Sequence, residues 1–238
     1  MADAELIVGR WLSHVASNQD LVSHNLANIS TPGFKRQVPS WSSFDVQLAE
    51  GQARLPVLGQ AADFSQGDVF ATENPAHLAI EGPGFLKVRA ADGTVRFTRG
   101  GEIHRDATGN LVDQRGLLLL DDSDQPVRGG DGNGPFRIGP RGNVSAQGGE
   151  ETGRLALVAF DDPQALTAEG AGLWAAAKDL SVKPDTGSKL LQGSLERSNS
   201  ESITELISMI KVQRSFQSGT RLLSSIESSV ESLINSIK

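Results

Sequence analysis

The residues of this chain that could perform chemistry are few, and their spacing fits no catalytic or metal-binding pattern. The four histidines are scattered and lack the close spacing of zinc ligands: His14, His24, His77 and His104. The acidic run that begins at Asp121 departs from the D-x-D-x-D-G order of a calcium loop and indicates a solvated turn. The chain contains no G-x-S-x-G elbow and no cysteine. We therefore predict no catalytic, cofactor or metal site and no enzymatic activity.

Composition narrows the classes of partner. A net charge of −7 argues against nucleic acid, because phosphate binding requires clustered lysine and arginine. No stretch approaches the ~20 apolar residues that span a bilayer. The N-terminus lacks the basic and apolar regions of a cleavable secretory signal. Tyrosine is absent and aromatic residues make up 5% of the chain, so we expect a core mainly of leucine, isoleucine, valine and alanine.

Both ends of the chain are predicted to be helices whose apolar faces need a partner. The C-terminal row alternates spacings of three and four, as in a heptad seam, and only Gly219 interrupts it. It consists of Met209, Val212, Phe216, Leu223, Ile226, Val230, Leu233 and Ile237. A looser N-terminal row consists of Leu12, Val15, Val22, Leu26 and Ile29. The two seams could pack on each other within one chain, or also contact other subunits. We favour the second alternative, which predicts an assembly subunit.

Local signals give the ends of these helices. The N-terminal helix is predicted over residues 3–30, because Pro32 and Gly33 cannot continue it. The C-terminal helix is predicted to start near 198–202, where two S-x-x-E capping boxes follow one another. Between residues 35 and 74, scattered proline and glycine predict an extended connector with little regular structure.

The middle of the chain is predicted to be an antiparallel β domain. Between residues 75 and 185, short apolar or alternating runs recur every 8–12 residues, which is typical of antiparallel strands. Asp92-Gly93 and Thr108-Gly109-Asn110 are hairpin-turn signals. We expect an α+β fold in which the terminal helices pack as a coiled-coil-like inner domain beside a central barrel- or sandwich-like domain. The predicted divisions are 1–34, 35–74, 75–185 and 186–238.

Five segments, in order along the chain, resemble the motifs of bacterial flagellar rod and hook proteins. The first is SHNLANISTPGFK at residues 23–35, in which His24 replaces a common asparagine of the family. Asn74-Pro75 with the run LAIEGPGF at residues 78–85 resembles the second motif, with Ala76-His77 in place of leucine and aspartate. The others are FTRGG at 97–101, GNLV at 109–112 and LERSN at 195–199. Ser200-Glu201 departs from the family pattern that follows the last motif.

This resemblance implies a structural subunit of the flagellar rod that needs no cofactor. Its expected partners are copies of itself and other rod proteins, the type III export apparatus during transit, and the ring bushing around the rod. The resemblance places the protein in the periplasmic part of the basal body, after export without a cleavable signal. It implies terminal helices that form the inner tube, with the N-terminal helix largely disordered before assembly. The chain length and the short connector favour the proximal rod, with the distal rod as the alternative.

The resemblance also singles out residues near the first helix end as part of the expected assembly interface. Asn25 and Asn28 could fix register as buried polar groups in the packed helix, or could belong to a fraying last turn. We expect the first role for both, and we expect Phe34 to be a packing anchor. A less favoured function is a soluble peptidoglycan-binding or hydrolytic β domain with helical oligomerisation tails.

Overall fold

The structure is a computed structural model, and it describes residues 2–48, 51–130, 134–146, 149–177 and 180–237. The chain divides into two compact units. The helical unit contains Met1–Ile29, Gln37–Ala62 and Ser200–Lys238, and the β unit contains Ser30–Arg36 and Asp63–Asn199. The chain therefore passes four times from one unit to the other, and each unit is built from separated segments.

The helical unit consists of two helices and a hairpin. Helix α1 spans Ala2–Ala27 and helix α2 spans Ser202–Ile237, and the two pack against each other. The start of α2 confirms the prediction from the capping boxes. There the Ser200 hydroxyl bonds the Glu205 carboxylate at 3.3 Å, with both side chains buried. Helix α1 ends three residues before the predicted position, in a turn where the Asn28 N–H donates to the Asn25 carbonyl.

Residues 37–48 and 51–62, predicted to belong to an extended connector with little regular structure, form two regular antiparallel β-strands instead. Strands β1 (Gln37–Leu48) and β2 (Gly51–Ala62) pair antiparallel along their whole length, from Gln37 opposite Ala62 to Leu48 opposite Gly51. That prediction was wrong because it treated proline as an interruption. In a two-stranded ribbon both strands are edge strands, where proline is tolerated.

The β unit contains three antiparallel sheets, which confirms the predicted strand pairing. The largest has the order β14-β15-β6-β5-β9-β8-β7-β4-β17, with β13 paired to β5 and β16; β10-β11-β12 and β18-β3 form the other two. The strands are β3 Val69–Ala71, β4 His77–Glu81, β5 Phe85–Arg89, β6 Val95–Thr98, β7 Gly100–Arg105, β8 Leu111–Asp113, β9 Leu118–Leu119, β10 Arg137–Ile138, β11 Asn143–Ser145, β12 Glu151–Arg154, β13 Leu157–Phe160, β14 Leu166–Gly170, β15 Leu173–Ala176, β16 Val182–Pro184, β17 Lys189–Gln192 and β18 Ser194–Glu196. Within the described residues no sheet closes into a barrel, so the barrel alternative was wrong.

Aliphatic side chains from both ends of the β unit form its core. Leu78, Ile80, Leu86, Val88 and Leu111 are buried together with Leu190, which lies beyond the predicted domain end at residue 185. Strand β17 brings Leu190 into register with Ile80 of β4. Aromatic packing adds to this core: Phe64, Phe85, Phe97 and Phe160 form a chain of edge-to-face pairs, and Trp174 packs tilted against Phe64. The core thus includes a residue from the segment that was predicted to be a C-terminal linker.

Among the described helices, none is long and apolar enough to cross a membrane.

Candidate assembly site

The predicted helical seams lie mostly on the packed side of the helical unit. On α1, Val15, Val22 and Asn25 are buried, and Leu12 and Leu26 are half-buried, as are Asn28 and Ile29 in the turn that follows. On α2, Met209, Val212, Leu223 and Ile226 are half-buried, whereas Phe216 is exposed. The side chains of Val230, Leu233 and Ile237 lie outside the described residues. The assembly role of all these residues stays a prediction.

Two further residues of the α1 face were missed. Val8 and Leu21 are buried. Val8 lies four residues before Leu12 and continues the same row, so its spacing could have identified it. Leu21 adjoins Val22, and the strict three-and-four pattern excluded it because that pattern permits only one of two adjacent residues.

The two helices pack tightly at Gly219. A Cβ atom placed on this glycine would lie 2.2 Å from the Trp11 ring and 2.7 Å from Leu12 Cδ2. The interruption in the α2 seam is therefore the position at which α1 fits against α2. Glycine destabilises a helix interior by about 1 kcal/mol relative to alanine, but here the missing side chain allows the close approach.

Asn25 fixes the connection between α1 and the hairpin. Its side-chain amide donates to the Gln37 carbonyl and its side-chain oxygen accepts from the Gln37 N–H, both at 2.8 Å. The buried amide thus forms two bonds with the backbone of β1 instead of one with the facing helix. Asn28 bonds the His24 carbonyl at 2.8 Å and closes the last turn of α1. Asn25 therefore specifies where the chain leaves the helix and enters the hairpin.

Beyond the helix stop, the chain enters the β unit through a left-handed glycine. Gly33 has φ +68°, and its N–H donates to the main-chain carbonyl of Glu196 at 2.8 Å. Phe34 is buried in the next position, as expected for a packing anchor, and Lys35 follows it. An L residue at position 33 would be strained, so glycine suits this turn.

Lys35, Arg99 and Glu196 form a buried charged cluster in the β unit, here called the Glu196 cluster. Their side chains are only 0%, 2% and 1% exposed. Glu196 Oε1 accepts from Lys35 Nζ at 2.7 Å and from the Gly67 N–H at 3.0 Å, and Oε2 accepts from Arg99 Nη2 at 3.2 Å. One carboxylate thus compensates two cations in a buried site. Because buried charges are costly unless paired, the cluster holds only while all three groups are present.

The two cations are bound to main-chain carbonyls as well. Lys35 Nζ donates to the Ser65 carbonyl at 2.8 Å, and Arg99 Nη1 donates to the carbonyls of Gly82 and Gly84 at 2.8 and 2.7 Å. Burial lowers the pKa of the Lys35 ammonium; Glu196 opposes that shift, and Arg99 adds to it. These bonds join the Glu196 cluster to the turns before β3 and before β5.

A ring of hydrogen bonds adjoins the Glu196 cluster where the chain enters and leaves the β unit. The Arg36 N–H donates to the Asn199 side-chain oxygen at 2.6 Å. The Asn199 amide donates to the Asp63 carbonyl at 2.7 Å, and the Asp63 N–H donates to the Arg36 carbonyl at 2.7 Å. Arg36, Asp63 and Asn199 are the β-unit residues at three of the four crossings. The asparagine side chain therefore fastens together segments that are remote in sequence.

Four of the five motifs noted in the sequence meet in this region of the β unit. Gly33 and Lys35 come from the first, Gly82 and Gly84 from the second, Arg99 from the third, and Glu196 and Asn199 from the last. Gly33 was predicted to help end the N-terminal helix, but no role was predicted for Lys35, Arg99, Glu196 or Asn199. The available signal was the presence of charged residues inside motifs that are otherwise apolar or glycine-rich.

Comparison with known proteins relates the chain to flagellar proteins. Residues 79–146 match the family described as the flagellar hook protein FlgE/F/G D1 domain, and residues 191–236 match the flagellar basal body rod FlgEFG protein C-terminal family. The flagellar basal-body rod protein FlgF of Caulobacter vibrioides is 32% identical over 210 residues, covering 86% of this chain and 85% of the relative. The rod protein FlgG of Buchnera aphidicola subsp. Schizaphis graminum is 30% identical over 261 residues, covering 96% and 99%. FlgF of Escherichia coli is 26% identical over 230 residues and covers 90% of each chain.

A pair of glycine variants tests the helix crossing. Gly9→Ala should stabilise α1 by about 0.5–1 kcal/mol, because a Cβ there meets nothing within 4 Å. Gly219→Ala gains similar helix propensity, but its methyl group would overpack against Trp11. We therefore expect the free energy of unfolding of Gly219→Ala to be about 1–3 kcal/mol lower than that of Gly9→Ala. Urea unfolding followed by helical circular dichroism measures both. Equal stabilisation by the two substitutions would show that the helices do not meet at Gly219.

Removing the shared anion tests the Glu196 cluster. Glu196→Gln keeps the side-chain shape but leaves two buried cations without a counter-charge, so we expect the β unit to lose about 3–5 kcal/mol. The matched control is Glu169→Gln, because Glu169 forms an exposed pair with Arg96, and its loss should cost under about 1 kcal/mol. Chemical unfolding monitored by β-sheet circular dichroism compares them. Equal effects of the two substitutions would contradict the account.

Proposed function

We propose that this chain, which belongs to the flagellar basal-body rod protein family of FlgF and FlgG, builds the proximal part of the rod through its terminal helices. Membership makes it a structural subunit of the bacterial flagellar rod, a motility structure. The position along the rod and the contacts that hold the subunit are our proposal. We also propose a periplasmic location, transit through the type III export apparatus, and contact with the ring bushing, as the family resemblance implies.

The alignments support the proximal rod over the distal rod. The alignment with FlgG of Buchnera has 261 positions but covers 96% of this 238-residue chain, so about 30 positions are insertions in the relative. The alignment with FlgF of Caulobacter has 210 positions over 86% of the chain, which leaves only about five such insertions. The same count for FlgF of Escherichia coli is about 16, from 230 positions over 90% of the chain, so both FlgF alignments need fewer insertions than the FlgG alignment, which fits the proximal assignment. The distal rod remains the alternative that the experiment must separate.

The helical unit supports assembly through the terminal helices. Its apolar residues are only partly covered by the α1–α2 packing, and Ile7, Ile203 and Leu222 are more than half exposed. We propose that α1 and α2 pack as a coiled-coil-like pair within the subunit, and that helices of neighbouring subunits cover the remaining exposed apolar residues in an assembled rod. Self-association with a rotation that does not close produces an open helical polymer.

The position of a tagged copy in purified basal bodies tests the proximal assignment. We expect a compact tag at exposed His104 in the β unit to appear on the rod segment nearest the cytoplasmic membrane, in electron micrographs of gold-labelled basal bodies. Label beyond the proximal segment, toward the hook, would assign the chain to the distal rod. Label absent from basal bodies that contain other rod proteins would overturn the proposed function.

Charge within the seam tests whether the helix pair is the assembly element. Ile226→Asp places a carboxylate in the half-buried row of α2, so we expect incorporation into basal bodies to fall at least tenfold while the β unit stays folded. The control is Ser229→Asp, which adds the same charge at an exposed position of the same turn. Motility and quantitative immunoblots of basal bodies provide the readout. Normal incorporation of Ile226→Asp would show that the C-terminal seam is dispensable.

A further inference from the structure

The β unit ends in a segment, residues 185–199, that pairs with the beginning of the same unit and is called the closing strap here. Leu190 of β17 lies opposite Ile80 in β4, and Leu195 of β18 lies opposite Phe70 in β3, so each pair spans more than a hundred positions. Strand β17 is the last strand at one edge of the largest sheet. Without it, the apolar strand β4 would form that edge, and exposed apolar edges promote aggregation. The strap therefore completes the sheet from the far end of the sequence.

The closing strap also accepts hydrogen bonds from main-chain N–H groups of earlier segments. The acceptors are side-chain oxygens of Ser188, Gln192 and Glu196 and the carbonyl groups of Gly193 and Glu196. At 2.7–3.0 Å they bind the N–H groups of Gly33, Gly67, Thr72, Gly84 and Ile138. Burying a main-chain N–H group without an acceptor is costly. A sheet formed without the strap would therefore lack acceptors for donors from several remote segments.

The closing strap supplies the anion of the Glu196 cluster, whereas both cations come from earlier in the chain. Lys35 and Arg99 are buried against the Glu196 carboxylate. A chain without the strap could bury these cations only without their shared counter-charge, which is strongly unfavourable. If the cations stayed in solvent, the segment after α1 and the turn between β6 and β7 could not take their native places. Charge therefore opposes a partial β unit, as do the open edge and the unpaired donors.

The closing strap is also the last part of the β unit to become available, because a chain is synthesised from its N-terminus. We propose that the strap controls when the β unit folds. Strands β3 to β16 form no stable sheet until residues 185–199 join them, and the whole unit then folds in one cooperative step. This order prevents a sheet with an open β4 edge and two uncompensated cations from forming.

The same order would serve transit through the type III export apparatus, and in that respect the inference rests on the proposed function. A chain that leaves a channel with its N-terminus first presents the closing strap after every other part of the β unit. The segment Ser200–Lys238, which contains α2, then remains behind the strap. The β unit would therefore fold once, outside the channel, from a complete set of strands.

Refolding of the intact chain from urea, followed by pulse-labelling hydrogen exchange, tests this order of folding. The reporters are four hydrogen-bonded N–H groups, those of Leu111 and Leu120 in the earlier part of the unit and those of Leu190 and Arg197 in the strap. We expect all four to become protected in the same kinetic phase. Protection of Leu111 and Leu120 in an earlier phase would show that the sheet forms without the strap, and would overturn the inference.

A strap variant of the intact chain tests the same point at equilibrium. Leu190→Asp places a carboxylate at a strap position that is 1% exposed, so the strap should no longer pack on the sheet. We expect the N–H groups of Leu111 and Leu120 to lose protection at least tenfold, together with that of Arg197. The control Thr186→Asp adds the same charge at an exposed strap position and should leave all three unchanged. Loss of protection at Arg197 alone would show that the strap docks on a sheet that is already folded, which contradicts the inference.

These measurements do not depend on where the protein is located, so the two proposals can fail separately. An early folding phase without the strap overturns the control of folding and leaves the rod assignment standing. Absence of the wild-type chain from basal bodies overturns the rod assignment and the use in export, whereas the order of folding is decided by the refolding experiment.

Discussion

The Glu196 carboxylate lies between two buried cations, Lys35 and Arg99. It thereby connects three segments of the β unit that are far apart in the sequence. Lys35 arrives from the segment after α1, Arg99 from the turn between β6 and β7, and Glu196 from the last strand. Hydrophobic burial alone would place no charge there, because an unpaired ion in such a site is costly. The Glu196 cluster is complete only when the three segments are together. The charge balance therefore makes the β unit one structure despite its discontinuous sequence.

The helical unit is held together by different interactions. Its packing depends on a glycine that lets α1 approach α2 and on an asparagine that fixes the start of the hairpin. Large apolar residues remain exposed on both helices, mainly on α2, and a two-stranded hairpin is only marginally stable by itself. In the proposed assembly such a unit would gain stability from neighbours, whereas the β unit carries its own core. This division suits a rod subunit whose helices are proposed to pack against neighbours while its β unit folds by itself.

Local features of the fold could be predicted from the sequence, and features that depend on remote pairing could not. The start of α2 followed from capping residues, and the β5–β6 hairpin followed from Asp92-Gly93. Strand β17 was missed because its partner β4 lies about 110 residues away and its own apolar run is short. Lys35 and Glu196 are 161 positions apart, and single charged residues are usually solvated. The apolar rows of the two terminal helices could be recognised from residue spacing, but the structure was needed to show which of their residues are buried between the helices and which are exposed.

The central claim is that the β unit is stably folded in the free chain, whereas the helices become stably folded only on assembly. Hydrogen exchange on the free chain and on basal bodies that contain it tests this claim most directly. In the free chain, the hydrogen-bonded amides of Gly33, Gly67 and Arg197 should be as protected as the core strand β5, and α1 should exchange orders of magnitude faster. In basal bodies, only α1 and α2 should gain strong protection. Equal protection of α1 and β5 in the free chain, unchanged by assembly, would contradict the account.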